Sequence, residues 1–228
     1  MRIAKLILST LFTICILGLV AGGVLYFHLK SSLPSVESLK TVELQQPMQI
    51  YTADGKLIGE VGEQRRIPVK LENVPQRLQD AFLATEDSRF YEHHGVDPIG
   101  IIRAVFRNII SGNATAQGGS TITQQLARNA FLSQEQTLKR KMLEAFLALK
   151  IERQYTKKEI LEMYMHQIYF GQGCYGIQTA SKEYFGKDVK DLSLAQCALI
   201  AGLPNSPNYY SPFHSVEEEK QRQSIVTD

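Results

Sequence analysis

Glu86 sits where a helical reading of Leu78–Gly95 carries an apolar stripe into an acid. Leu78, Phe82 and Glu86 are spaced four apart and share one face, with Ala81 and Thr85 beside them. Asp87 falls on another face, with Leu83 and Asp80. A carboxylate at the core-facing edge of a helix is partly desolvated, which raises its pKa toward the range of a general base. The alternative is an acid that ends an amphipathic helix and points to water. Glu144 is the one polar side chain in Met142–Leu149, and Arg140 and Lys141 precede it on the same helical face. An acid in so apolar a run is rarely buried without a partner. Two such carboxylates are the residue types of sugar-transfer chemistry.

A second stretch supplies polar and cationic groups. Gly118-Gly119-Ser120-Thr121 leads into Ile122–Asn129, which reads as a loop entering a helix N-terminus, where free N–H groups favour anions. Gln124 and Gln125 add amide donors and acceptors, and Arg128 adds a cation. Such a set suits sugar hydroxyls and phosphate oxygens. A capping motif needs only the Ser or Thr, so the Gln pair points to function.

The elements that must position these groups are mostly helical. Gln49–Tyr51 and Leu57–Val61 flank Asp54-Gly55, a strong hairpin signal, and Arg65–Val69 is a candidate third strand. After Pro75 the pattern is helical almost throughout. Pro98–Ser111 carries Ile101, Ile102, Val105, Phe106, Ile109 and Ile110 on one wide face with Arg103 and Arg107 opposite. It is either a helix lying in a bilayer interface or an ordinary core helix. Gly112–Gly119 reads as a mobile loop of small and polar residues. Gly171–Gly176 matches G-x-G-x-x-G but follows a helical pattern with no βαβ unit, so a nucleotide site is rejected. No D-x-D, Walker loop, H-E-x-x-H or Ser-x-x-Lys occurs, so an acylating serine of the penicillin-target type is absent.

Composition bounds the class and place. At 228 residues and 44% hydrophobic, the chain can bury one good core. A net charge of +2 gives no argument for nucleic acid. Leu6–Phe27 carries no charge and is long enough to span a bilayer. Arg2 and Lys5 before it favour a cytoplasmic N-terminus; a cleaved signal peptide would have a shorter apolar region. Gly18 and Gly22 give a weak helix-pairing signal. Everything after Lys30 is then expected outside the cytoplasm. Cys15 lies in the anchor, and Cys174 and Cys197 are expected as buried free thiols rather than a disulfide.

These residues together resemble glycosyltransferase family 51, the peptidoglycan glycosyltransferases found alone or as the first module of class A penicillin-binding proteins. Five ordered motifs carry the likeness between about Ile50 and Pro212. They are Glu86-Asp87 with Phe90, His93, Gly95 and Asp97; GGSTITQQLARN; Arg140-Lys141 with Glu144; Glu159–Tyr164 with Tyr169–Ile177 and Tyr184–Lys187; and Ala201–Pro204 ending at Tyr210–Pro212. Arg128 stands where Lys is common.

The resemblance implies a mainly α, lysozyme-like helical domain with a short N-terminal β unit, a membrane-associated subdomain containing Pro98–Gly112, and one N-terminal transmembrane helix. It implies lipid II as acceptor and a polyprenyl-pyrophosphate-linked glycan strand as donor, at the outer face of the bacterial cytoplasmic membrane. Glu86 and Glu144 would be the catalytic carboxylates. Glu86 would take the proton of the acceptor 4-hydroxyl, with inversion from α to β. Glu144 would hold cations in place or help bind a divalent ion, Mg or Mn, at the pyrophosphate; no cofactor is otherwise implied. Arg128, Arg140 and Lys141 would receive the leaving group, and Asp87, Ser120, Thr121, Gln124 and Asn129 would position sugars and phosphates. Other cell-wall synthesis or division proteins are further expected partners.

Three positions depart from the pattern. Gln136 stands for a common Arg, His166 for Asn and Gln196 for Glu, which puts the strength of donor binding in question. The expected organisation is a cytoplasmic N-terminus and anchor over 1–30, a linker over 31–46, the transferase domain over 47–213 and a helical segment over 214–228. That last segment reads as a helix cut short, so a monofunctional enzyme and the opening of a longer bifunctional protein both stay open. A lysozyme-like hydrolase or a non-catalytic cell-wall scaffold are the rival readings.

Overall fold

The computed structural model describes residues 48–61, 65–112, 118–133, 135 and 137–213, with parts of 9–39 and residues 223, 224 and 226. Two strands, β1 (Met48–Tyr51) and β2 (Leu57–Val61), form an antiparallel hairpin. Its turn passes through Gly55, whose φ of +80° suits the glycine of the Asp-Gly pair. The expected third strand does not join this hairpin. β3 (Arg65–Arg66) pairs in parallel with β4 (Cys174–Tyr175), far along the chain. The reason is a long-range tie: Ile67 N–H donates to Thr179 Oγ1, and Val69 N–H meets His166 Nε2.

The remaining elements are helical: α1 (Gln76–Glu86), α2 (Pro98–Ser111), α3 (Ile122–Phe131), α4 (Leu138–Gln154), α5 (Lys157–Gln167), α6 (Ile177–Phe185) and α7 (Leu194–Gly202). Their starts are written in the sequence. Thr121 with Gln124, Thr156 with Glu159 and Ser193 with Gln196 close capping boxes on α3, α5 and α7. Asp97 caps α2 and is followed by Pro98 in the first turn, while Gly112 ends that helix at φ +64°.

The core is built around α3, which packs on α4 and α5, and around α1 lying against α7. Leu78 and Phe82 of α1 are fully buried, and the Phe82 ring meets Tyr164 and Phe170 edge-on at 6.2 and 6.1 Å. Burying one such side chain contributes about 1.5–3 kcal/mol. The helix stops at Asp87, whose extended backbone (φ −160°) turns the chain away.

Two regions differ from a simple globular plan. Val36 and Leu39, in the segment read as a linker, are buried in the same core. Tyr155 donates to Val36 O at 3.0 Å and Lys150 to Pro34 O at 3.0 Å, so this stretch is docked on the far end of α4. Conversely, α2 buries only Ala104; Ile102, Phe106, Ile109 and Ile110 are 57–84% exposed. The core-helix alternative for Pro98–Ser111 is therefore excluded. Most of Leu6–Phe27 lies outside the described residues, as do 113–117, Gln136 and 214–222. Among the described residues no helix is long and apolar enough to cross a membrane. Cys174 and Cys197 are buried thiols outside any disulfide, as expected, and burial raises the Cys197 thiol pKa.

Candidate active site

Asp87 organises the junction from which Glu86 projects. Its carboxylate accepts the N–H of Ile122 at 3.0 Å, at the first turn of α3, where the helix dipole favours an anion. His93 Nδ1 accepts Gly95 N–H at 3.2 Å, which leaves Nε2–H to donate to Asp87 at 2.9–3.0 Å. Gly95 O in turn accepts from Thr121 Oγ1 at 2.6 Å. At Gly95 a side chain is excluded twice over. Its φ is +90°, and a Cβ would lie 2.9 Å from the Ala148 backbone. The end of α1, the start of α3 and the middle of α4 are thus fixed to one another, and Glu86 inherits that rigidity.

Glu86 is half-buried and lines a cavity of about 910 Å³. Its Oε2 accepts from Gln125 Nε2 at 2.9 Å, and Gln125 Oε1 accepts the hydroxyl of fully buried Tyr164 at 3.3 Å. Burial first, then the negative charge of Glu86, holds the Tyr164 phenol well above its ordinary pKa of 10.0. The same cavity is lined by Arg103 and Arg107 of α2, by Arg128 of α3, and by Ser120 and Thr121. An acid that bonds to a neutral amide and shares its cavity with cations has the groups needed to take a proton beside a developing negative charge.

Glu144 has a different setting. It is completely buried, and its two oxygens accept from Arg140 and from Lys141, the latter at 2.9 Å. Lys141 Nζ also donates to Ser120 Oγ at 2.6 Å. Glu144 and Arg140 do not line the cavity; their connection to it runs through Lys141 and Ser120. Of the two roles open to Glu144, the geometry is that of a clamp on cations. Both oxygens already face positive groups, and among the described residues no cluster of three His, Cys, Asp or Glu side chains could hold a metal ion. The described residues about Glu144 do not form a ready metal site.

The other sequence-derived positions separate cleanly. Ser120, Thr121, Asp87 and Arg128 reach the cavity, whereas Asn129 is exposed outside it. Gln124 is buried in the capping box, its Oε1 accepting Thr121 N–H at 3.1 Å. The Gln that meets Glu86 is Gln125; the sequence reading gave both members of the Gln pair to function, and the structure gives Gln124 to the helix cap instead. The pattern Thr-x-x-Gln already assigns Gln124 to the cap and leaves its neighbour free. Arg103 and Arg107 were read only as the polar side of an amphipathic helix. Of the departures, Gln196 still closes its capping box and His166 bonds the Val69 backbone, so each has a structural place.

Residues 54–228 match the Transglycosylase family. The chain belongs to that family. Among its relatives, penicillin-binding protein 1A of Haemophilus influenzae is 61% identical over 226 residues, covering 99% of this chain and 25% of that protein. The proteins of the same name from Vibrio cholerae and Escherichia coli are each 52% identical, over 98% and 95% of this chain and 27% and 26% of theirs. The resemblance carried by the five motifs is therefore borne out at the level of the family. This transglycosylase chain spans about a quarter of the length of those relatives.

Proposed function

We propose that this chain polymerises a lipid-linked disaccharide, lipid II, into glycan strands by inverting transfer from a polyprenyl-pyrophosphate donor. The observation that carries the reading is the cavity itself: one half-buried carboxylate, Glu86, shares with three arginines a space large enough for sugars and a pyrophosphate. Glu86 removes the proton from the acceptor 4-hydroxyl as that oxygen bonds to the donor anomeric carbon. The anomeric C–O bond breaks on the opposite face, and the pyrophosphate leaves with the electron pair. Arg103, Arg107 and Arg128 offset its charge, and Lys141, steadied by Glu144, reaches the same region through Ser120.

The lipid half of the substrate matches α2. That helix turns its arginines into the cavity and leaves its isoleucines and Phe106 bare, which supports contact with a membrane surface. With Leu6–Phe27 as an anchor, the transferase body lies outside the cytoplasm, at the outer leaflet where a lipid-borne donor is available. Lipid II and the growing strand are then the partners, with other wall-building proteins as further candidates.

Polymerisation of purified lipid II by the whole chain in detergent tests the reading. Wild type is expected to produce long glycan strands and Glu86→Gln none. Digestion of finished glycan instead of strand growth, or full activity in Glu86→Gln, would overturn it.

A further inference from the structure

We propose that Tyr164 is a positioning residue for the acid–base chemistry of Glu86, acting through the Gln125 amide. This deepens the reading above and rests on it. A side-chain amide presents either NH₂ or C=O to a neighbour. Here the NH₂ end meets Glu86 Oε2 and the carbonyl end accepts the Tyr164 hydroxyl.

Tyr164 is fully buried and Gln125 nearly so, so neither can turn to water for a substitute. If the amide turned over, its carbonyl would oppose the ionised carboxylate, and the phenolic hydrogen would lose its one recorded acceptor. An unpaired buried donor is costly. Tyr164 therefore disfavours the orientation in which Gln125 would accept a hydrogen bond from a protonated Glu86. The consequence is a bias toward the ionised, proton-accepting form of the acid. The raised pKa of the phenol keeps this donor protonated across any working pH.

Among the described residues, the other charged groups lining the cavity with Glu86 are Asp87 at the end of α1, held by His93; Arg128 of α3; and Arg103, Arg107 and the α2 cap Asp97. All remain in place when only the relay is altered, so they set a common baseline.

The experiment compares wild type, Tyr164→Phe and Gln125→Glu as whole chains in detergent. Two readouts are taken: the pH dependence of kcat for lipid II polymerisation, and the titration of the Glu86 carboxyl by carbon-13 NMR, assigned by its loss in Glu86→Gln. Tyr164→Phe keeps the ring packed on Phe82 and removes one hydroxyl. Its kcat is expected to fall about tenfold at pH 6 and to recover as pH rises, with KM within twofold and the carboxyl titrating higher than in wild type. Gln125→Glu, which sets a second carboxylate against Glu86, should move the titration further in the same direction. An unshifted titration in both variants overturns the proposal, as does a kcat loss equal at every pH. A titration that shifts in the variants while the wild-type chain polymerises nothing would sink the transferase reading and leave the relay standing.

Discussion

Glu86 and Glu144 are the same residue type in opposite circumstances. Glu86 ends a helix, is half-buried, opens on a cavity and bonds to a neutral amide. Glu144 lies mid-helix, is sealed from solvent and is held by two cations. Burial alone therefore does not separate the two roles proposed for them. Glu144 has both oxygens committed to Arg140 and Lys141, whereas Glu86 opens on the cavity beside a neutral amide. On the proposed mechanism Glu86 takes the proton and Glu144 holds the cations beside it.

The sharpest way to break this contrast is to remove each charge in turn. Glu86→Gln is expected to lower kcat by roughly 100- to 10,000-fold, the usual reach of general acid–base catalysis, with the melting temperature unchanged. Glu144→Gln strands two cations and should cost about 3 kcal/mol of stability, near the low end for a broken buried pair because Lys141 is partly exposed. For a domain of this size that lowers Tm by about 6–12 °C, measurable by calorimetry. Wild-type Tm together with a kcat loss as large as that of Glu86→Gln would make the two acids equivalent. Replacing Arg103 and Arg107 together by Ala should raise KM for lipid II by about tenfold, or 1.4 kcal/mol, while kcat falls less. An unaltered KM would remove α2 from the pyrophosphate side of the site.

The smallest expected effect is on alkaline stability. The folded-state pKa of Tyr164 lies above its ordinary 10.0, through burial first and Glu86 second. Its contribution is thus fully present below pH 10 and is lost as pH climbs toward the raised value, because the unfolded chain gives up that proton more readily. Tyr164→Phe should show a shallower loss of stability above pH 10 in urea titrations, and an unchanged slope would contradict the assignment.

Much of this was legible beforehand, for identifiable reasons. The stripe Leu78, Phe82, Glu86 set the orientation of α1, because period and burial agree there. Arg140, Lys141 and Glu144 share a helix face, so their pairing needed no tertiary information. What was not legible depended on distant contacts. β3 was drawn from the hairpin to β4 by Thr179 and His166, more than ninety residues away. Gln124 and Gln125 are adjacent and chemically identical, and only the capping geometry tells which one is free to meet Glu86. The cavity-facing role of Arg103 and Arg107 required knowing that α2 leaves its apolar side uncovered.

The docking of Val36 and Leu39 sets a geometric limit. On the proposed topology, only the short stretch between Phe27 and Pro34 joins the bilayer to a point clamped on α4. Fully extended, that stretch reaches about 25 Å. The enzyme body is thus held on a short leash whose outer end is bolted to its own frame. On that topology, and with the proposed activity, it would swivel over the lipid surface without rising far from it, and the growing strand would move past the protein instead of the protein travelling out along the strand.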